Sequence, residues 1–246
     1  MRDYEQEIKS RVEFIRRCVA EAGAGGVVFE NSGGKDSALV GILCKKACPN
    51  TLGVLLPCQS RRNYGSDTDD ALALGRAFDI ECVTVDLSLM KTALTGALDA
   101  GGITLPPDSM ASANIAPRLR TAAVYAIGNL RNMLVAGTSN RSELYTGYFT
   151  KWGDAHDFNP IGDLTVTEVY EFLRYLSAPA GIIEKTPSAG LYEGQTDEGQ
   201  MGVTYAEIDR YLLDGIAGPS IDRIRSMNRA TEHKRRLPPI YGTEGC

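Results

Sequence analysis

The chain has 246 residues, 31 acidic and 26 basic, for a net charge of −5. An acidic balance gives no general attraction to nucleic acid or anionic membranes, and no apolar run approaches the ~20 residues needed to span a bilayer. Hydrophobic content of 43% and charged content of 23% are those of a globular protein. With no Pro- or Ser-rich linker, a single domain over residues 1–246 is expected. The charged start, Met1 to Glu7, lacks a signal-peptide core, so the cytoplasm is the expected location. Six scattered cysteines form no CxxC pair and only two histidines are present, which predicts reduced, packed thiols rather than a zinc site.

Residues 4 to 22 carry Ile8, Val12, Ile15 and Val19 at helical spacing. Gly26 to Glu30 reads as a buried strand. Ser32-Gly-Gly-Lys-Asp-Ser37 follows, and then a helix that Pro49 stops near Ala47. Thr51 to Leu56 is a second strand, Asp67 to Phe78 a helix, and Glu81 to Leu87 a third strand. Strands alternating with helices of this length predict a doubly wound parallel α/β sheet, with helices on both faces and the ligand beyond the strands' carboxyl ends. Ser88 to Leu98 predicts a short helix, Gly101 to Pro107 a loop, and Ala111 to Asn132 one long helix. Met133 to Gly137 is a fourth strand, after which Thr138 to Asp154 is polar and glycine-rich, as active-site loops are. Helices are expected near 167–176, 205–213 and 221–230, with 186–202 as loop and His233 to Arg236 as a basic tail.

Ser32 to Ser37 joins a strand to a helix, the arrangement that binds phosphate through unpaired N–H groups. Asp36 follows the lysine, so the loop is not of Walker type, and an acid there suggests a magnesium ligand. A Gly-rich turn capped by Ser32 or Ser37 is the bland alternative. Glu143, after the fourth strand, can meet Asp36 at one sheet edge. Two carboxylates plus phosphate oxygens suit magnesium, though Glu143 also reads as an ordinary surface acid. Arg118 and Lys151 can neutralise phosphate or carboxylate, or be plain solvated charges.

Ser32 to Ser37 resembles the SGGxDS loop of the ATP pyrophosphatases, whose members include GMP synthetase, asparagine synthetase and tRNA-thiolating enzymes. Gly137-Thr-Ser-Asn-Arg-Ser-Glu143, Gly147 to Asp154, Pro160 to Leu164 and Glu232 to Pro238 resemble the signatures of the ammonia-dependent NAD synthetase family over nearly the whole chain. The glutaminase domain of longer members has no counterpart. The resemblance implies a Rossmann-like adenine nucleotide alpha hydrolase fold, a homodimer, and ATP, deamido-NAD and ammonia as substrates with Mg2+ as cofactor. It implies that the carboxylate of deamido-NAD is adenylated and that ammonia then displaces AMP. It assigns ATP to Ser32, Gly33, Gly34, Lys35, Asp36, Ser37, Thr138 and Ser188, and metal to Asp36 and Glu143. Deamido-NAD falls to Arg118, Lys151, Asp157, His233 and Lys234, and Asp154 is the acid that receives ammonium.

Three departures stand out. Val166 occupies a position where many members carry an ATP-contacting lysine, which Lys35 or Lys185 would have to replace. The Gly153 to Asp157 loop is one residue short, which bears on Asp157, and Glu30-Asn31 replace small or apolar residues. The alternatives are a catalytically weakened nucleotide-binding homologue and an ATP pyrophosphatase with another acceptor, such as tRNA. Gly101 to Pro107 and Gly190 to Gly202 are expected to close over the substrate.

Overall fold

A computed structural model describes residues 2–59, 65–107, 109–185 and 196–242. In chain order the first half runs α1 (Tyr4–Glu21), β1 (Gly26–Glu30), α2 (Lys35–Ala47), β2 (Thr51–Leu55), α3 (Ser66–Phe78), β3 (Glu81–Thr84) and α4 (Ser88–Ala100). It continues with α5 (Met110–Ala113), α6 (Ile115–Arg131), β4 (Met133–Val135), α7 (Arg141–Thr146) and α8 (Val166–Tyr175). The last elements are α9 (Ala180–Ile183), α10 (Asp197–Met201), α11 (Tyr205–Asp214), α12 (Ile221–Ala230) and α13 (Glu232–Arg235).

The sheet is parallel throughout, in the order β3-β2-β1-β4. Successive side chains of a strand face opposite ways, and β1 shows it. Val27 and Phe29 join a core with α1, α2 and α8, whereas Val28 joins a second core with β2, β4 and α6. Helices therefore cover both faces, as the alternating pattern predicts. Chain order reverses at β1, which has β2 on one side and β4 on the other. That switch point is where open parallel sheets place their ligands.

Two packing features fix the elements that carry the site. Gly41 of α2 lies against the tip of the Phe29 ring, and a Cβ there would stand 2.5 Å from Cζ. Only glycine lets α2 approach β1 this closely. A charge cluster centred on buried Arg11 also ties α1 to the 160–164 segment. Arg11 donates to Glu7, to both Asp163 carboxylate oxygens and to the Pro160 carbonyl. Burial works against the ionised Asp163 carboxyl, but the Arg11 bonds outweigh it and hold its pKa below the usual value.

The structure corrects several expected elements. The helix expected over Ala111–Asn132 is broken into α5 and α6 at Asn114. Pro117 has no N–H for the carbonyl of Ala113, and its ring would crowd that carbonyl in a continuous helix. Within the polar 138–154 segment, Asn140 and Glu143 form a capping box that starts α7. In the expected 186–202 loop, Thr196 caps the short helix α10, while residues 186–195 lie outside the described part. His233 to Arg235 belong to α13, not to a free tail.

Gly41→Ala is expected to cost about 1–3 kcal/mol of stability through overpacking against Phe29. Urea unfolding measures it, and an unchanged midpoint would show that the Phe29 ring yields without cost.

Candidate active site

β1 ends in a tight turn that delivers the start of α2. Gly33 has φ of 71°, and a Cβ on it would meet the Asp67 carbonyl oxygen at 2.1 Å, so only glycine fits. The turn is laced by its serines: Ser32 Oγ lies 3.0 Å from Ser37 Oγ and accepts from Gly34 N, while Ser37 Oγ donates to the Gly34 carbonyl. The helix then begins with Asp36 in its first turn, where an acid is favoured by the helix dipole. Lys185 closes the outer side. Its Nζ lies 2.7 Å from Asp67 and 2.7 Å from Asp70, and 3.4 Å from the Gly33 carbonyl.

β4 delivers the second half. Asn140, fully buried, caps α7 by accepting from Glu143 N, and its Nδ2 donates to Asp36 Oδ1 at 3.1 Å. Glu143 accepts from Asn140 N through Oε2, while Oε1 turns toward Lys35. Behind α7, buried Asp209 accepts from Ser142 Oγ at 2.5 Å and from Thr167 N and Oγ1 at 2.7 Å each. That carboxylate fixes α7 to the start of α8, and so sets where Glu143 stands.

The two halves face an open cavity of about 310 Å³. Among its walls are Ser32, Gly34, Lys35, Asp36, Ser37, Thr138, Glu143, Asp154 and Lys234, all expected site residues. Asp36 and Glu143 converge on Lys35 Nζ, at 2.7 and 3.9 Å, so a cation already sits between them. Two carboxylates around one positive charge form an oxygen donor set suited to a hard divalent cation. Burial, and then the charge of Asp36, push the Glu143 carboxyl well above its ordinary value, with Lys35 only partly opposing.

Asp154 accepts from Thr150 N at 2.7 Å, and loss of hydration raises its carboxyl too. Its neighbours include Arg120, which donates from Nε to the Leu56 carbonyl at 3.1 Å and lies 3.5 Å from Glu30 Oε1. Glu30 is raised by burial, with Asp154 adding to the effect and Arg120 opposing it. Lys234 donates to the carbonyls of Gly147 and Phe149, and its burial lowers its pKa.

Other expected residues stand elsewhere. Arg118, Lys151 and His233 form a separate chain outside the cavity wall: Arg118 donates to the Lys151 carbonyl and Lys151 Nζ to the His233 carbonyl. Asp157 also lies off the wall, accepting from Val135 N and Tyr125 Oη beside the end of β4. Ser188 is outside the described residues. Val166 is buried in an apolar cluster with Met201, Tyr205 and Ile208. Lys185, one of the two candidate replacements for a lysine there, does reach the phosphate loop. Sequence reasoning missed Asn140, Arg120, Asp67 and Asp197 as wall or positioning residues. Only Asn140 had a local signal, the Asn-x-x-Glu of the capping box.

A Gly- and Ser-rich turn opening a helix and two acids at the switch point of a parallel sheet are the arrangement of an α/β nucleotide-binding protein. The family model described as NAD synthase matches residues 7–238. An NH(3)-dependent NAD(+) synthetase of Carboxydothermus hydrogenoformans is 44% identical over 241 residues, covering 97% of this chain and 98% of the relative. An NMN synthetase structure from Francisella tularensis superposes with a TM-score of 0.91 at 33% identity, covering 99% and 100% of the two chains. An NH3-dependent NAD synthetase from Campylobacter jejuni gives 0.78 at 29%, covering 98% and 99%. The chain belongs to the NAD synthase family.

Glu143→Gln keeps the capping bond and removes a buried charge. A carboxyl whose pKa is raised by folding costs stability above that raised value, and nothing below its ordinary value of 4.5. The variant is therefore expected to melt no lower than the parent at pH 8, with any advantage fading as the pH falls toward 5. Thermal unfolding across that range checks this, and a clear loss of stability at pH 8 would contradict it.

Proposed function

We propose that this chain is an ammonia-dependent NAD synthetase: it amidates deamido-NAD with ATP and ammonia, releasing AMP and pyrophosphate. The observation that carries the reading is the convergence of Asp36 and Glu143 beside the Ser32–Ser37 turn, in a chain of this family. Ser32, Gly33, Gly34, Lys35, Ser37, Thr138 and Ser188 bind ATP, with the turn gripping the departing pyrophosphate. Asp36 and Glu143 hold Mg2+, which when bound offsets the charge of the phosphates.

A carboxylate is a poor acyl group until its oxygen is made a better leaving group, which adenylation does. Its attack on the α-phosphorus brings anions together, and Arg120, Lys185 and Lys234 supply positive charge around the cavity. Ammonium must lose a proton before it attacks. Asp154 stands on the cavity wall with a raised carboxyl, which makes it a better base than an ordinary aspartate, and it takes that proton. Arg118, Lys151, Asp157 and His233 contact the dinucleotide beyond the cavity. One domain carries these steps, in the cytoplasm.

A second acceptor is favoured by one observation. The backbone superposes on the NMN synthetase with a TM-score of 0.91, against 0.78 for the Campylobacter jejuni NAD synthetase. Nicotinate mononucleotide presents the same carboxylate without the adenylyl half. Product formation with ATP, ammonium, magnesium and each acceptor, omitting one component at a time, separates the readings. A higher kcat/KM for deamido-NAD is expected. Preference for the mononucleotide would reassign the acceptor, and ADP as the product would overturn the reaction.

The protein acts as a homodimer in this reading. No residue of α4 is buried, and Leu89, Met90 and Leu94 stand exposed on it, with Leu130 of α6 also open. Light scattering is expected to give twice the 26.6 kDa chain mass, and Leu94→Glu to shift it toward monomer. A monomeric parent would refute the assignment.

A further inference from the structure

Lys35 stands inside the Ser32–Ser37 turn, on the wall of the cavity, and its ammonium is engaged by carboxylates and an aromatic ring. It is 6% exposed, with Nζ 2.7 Å from Asp36 Oδ2, 3.9 Å from Glu143 Oε1 and 5.5 Å from the centre of the Tyr205 ring. The ammonium lies between the two carboxylates, with an aromatic face, also favourable to a cation, beside it.

We propose that Lys35 is an exchangeable counterion of the metal site. Without metal, its ammonium holds Asp36 and Glu143 together, and a divalent cation binds only by displacing it. The inference rests on the reading that those two acids hold the metal. Both are largely buried, at 15% and 17% side-chain exposure, and two such carboxylates repel unless a positive charge is placed with them. An incoming cation takes over that task and leaves the ammonium unpaired. The four-carbon stem lets the ammonium swing out, and the nearest new partners are phosphate oxygens of a nucleotide on the same turn. Metal and nucleotide are thereby coupled: each makes room or a partner for what the other requires, and by linkage each tightens the other. Cation without nucleotide binds poorly, because the displaced lysine has nowhere to go.

The test is Mn2+ binding to purified protein, followed by electron paramagnetic resonance, with and without α,β-methylene-ATP. Lys35→Met is expected to bind Mn2+ at least about tenfold more tightly than the parent without nucleotide, since no ammonium competes in a low-dielectric site. The tightening brought by the nucleotide should shrink in the variant. Unchanged or weaker Mn2+ binding by folded Lys35→Met overturns the proposal. If the variant unfolds when metal is chelated and refolds with Mn2+, while the parent stays folded throughout, the counterion role is supported. Asp36→Asn separates the two levels: Mn2+ binding equal to the parent's would refute the metal assignment itself, whatever Lys35 does.

Discussion

The hydrogen bond from Asn140 to Asp36 joins the two halves of the site. Asp36 opens the helix after β1, and Asn140 opens the helix after β4. The strands are neighbours only because chain order reverses at β1. Asn140 is buried, and its amide donates across the switch point. Its carbonyl caps Glu143 at the same time. One side chain therefore sets the separation of the two acids, and a buried amide left without its partner would cost roughly 1–3 kcal/mol.

Around that bond the site gathers charge that a stability-optimised core would avoid. Glu30, Glu143 and Asp154 all have raised carboxyls, chiefly through burial. Asp163 behaves in the opposite way, held down by Arg11. The contrast divides the molecule. Where a charge is fully paired it clamps elements together, and where it is left underpaired it is poised for a ligand. Lys234, whose pKa is lowered by burial, belongs with the second group.

Much of this was legible in the chain. The strand boundaries of β1 and β2, the helix after the phosphate turn and the last long helices follow from apolar periodicity and Gly or Pro punctuation, which are local. The Ser32–Ser37 turn and Glu143 were picked out by short motifs, and both contribute to the wall of one cavity. Arg120 and Asp67 were harder. Each enters the cavity through a tertiary contact, such as that of Arg120 with the Leu56 carbonyl, and no spacing in sequence encodes such a contact. The α5–α6 break was readable in principle from Pro117, but the apolar period ran through it and hid the interruption. Asp157 shows the converse: a family position is recognisable in sequence, yet its bonds to Val135 and Tyr125 depend on how the shortened loop turns.

The pairing of Gly26 with Met133 also has a consequence in time. A chain made from its N-terminus presents Asp36 and the phosphate turn long before β4 exists to dock beside them. Through that interval the nascent protein owns one acid and an open strand edge, and no second carboxylate to complete the pair. Closure of a parallel sheet between strands so distant in sequence is also intrinsically slow. Order of synthesis thus leaves Asp36 and Glu143 apart until β4 has docked against β1.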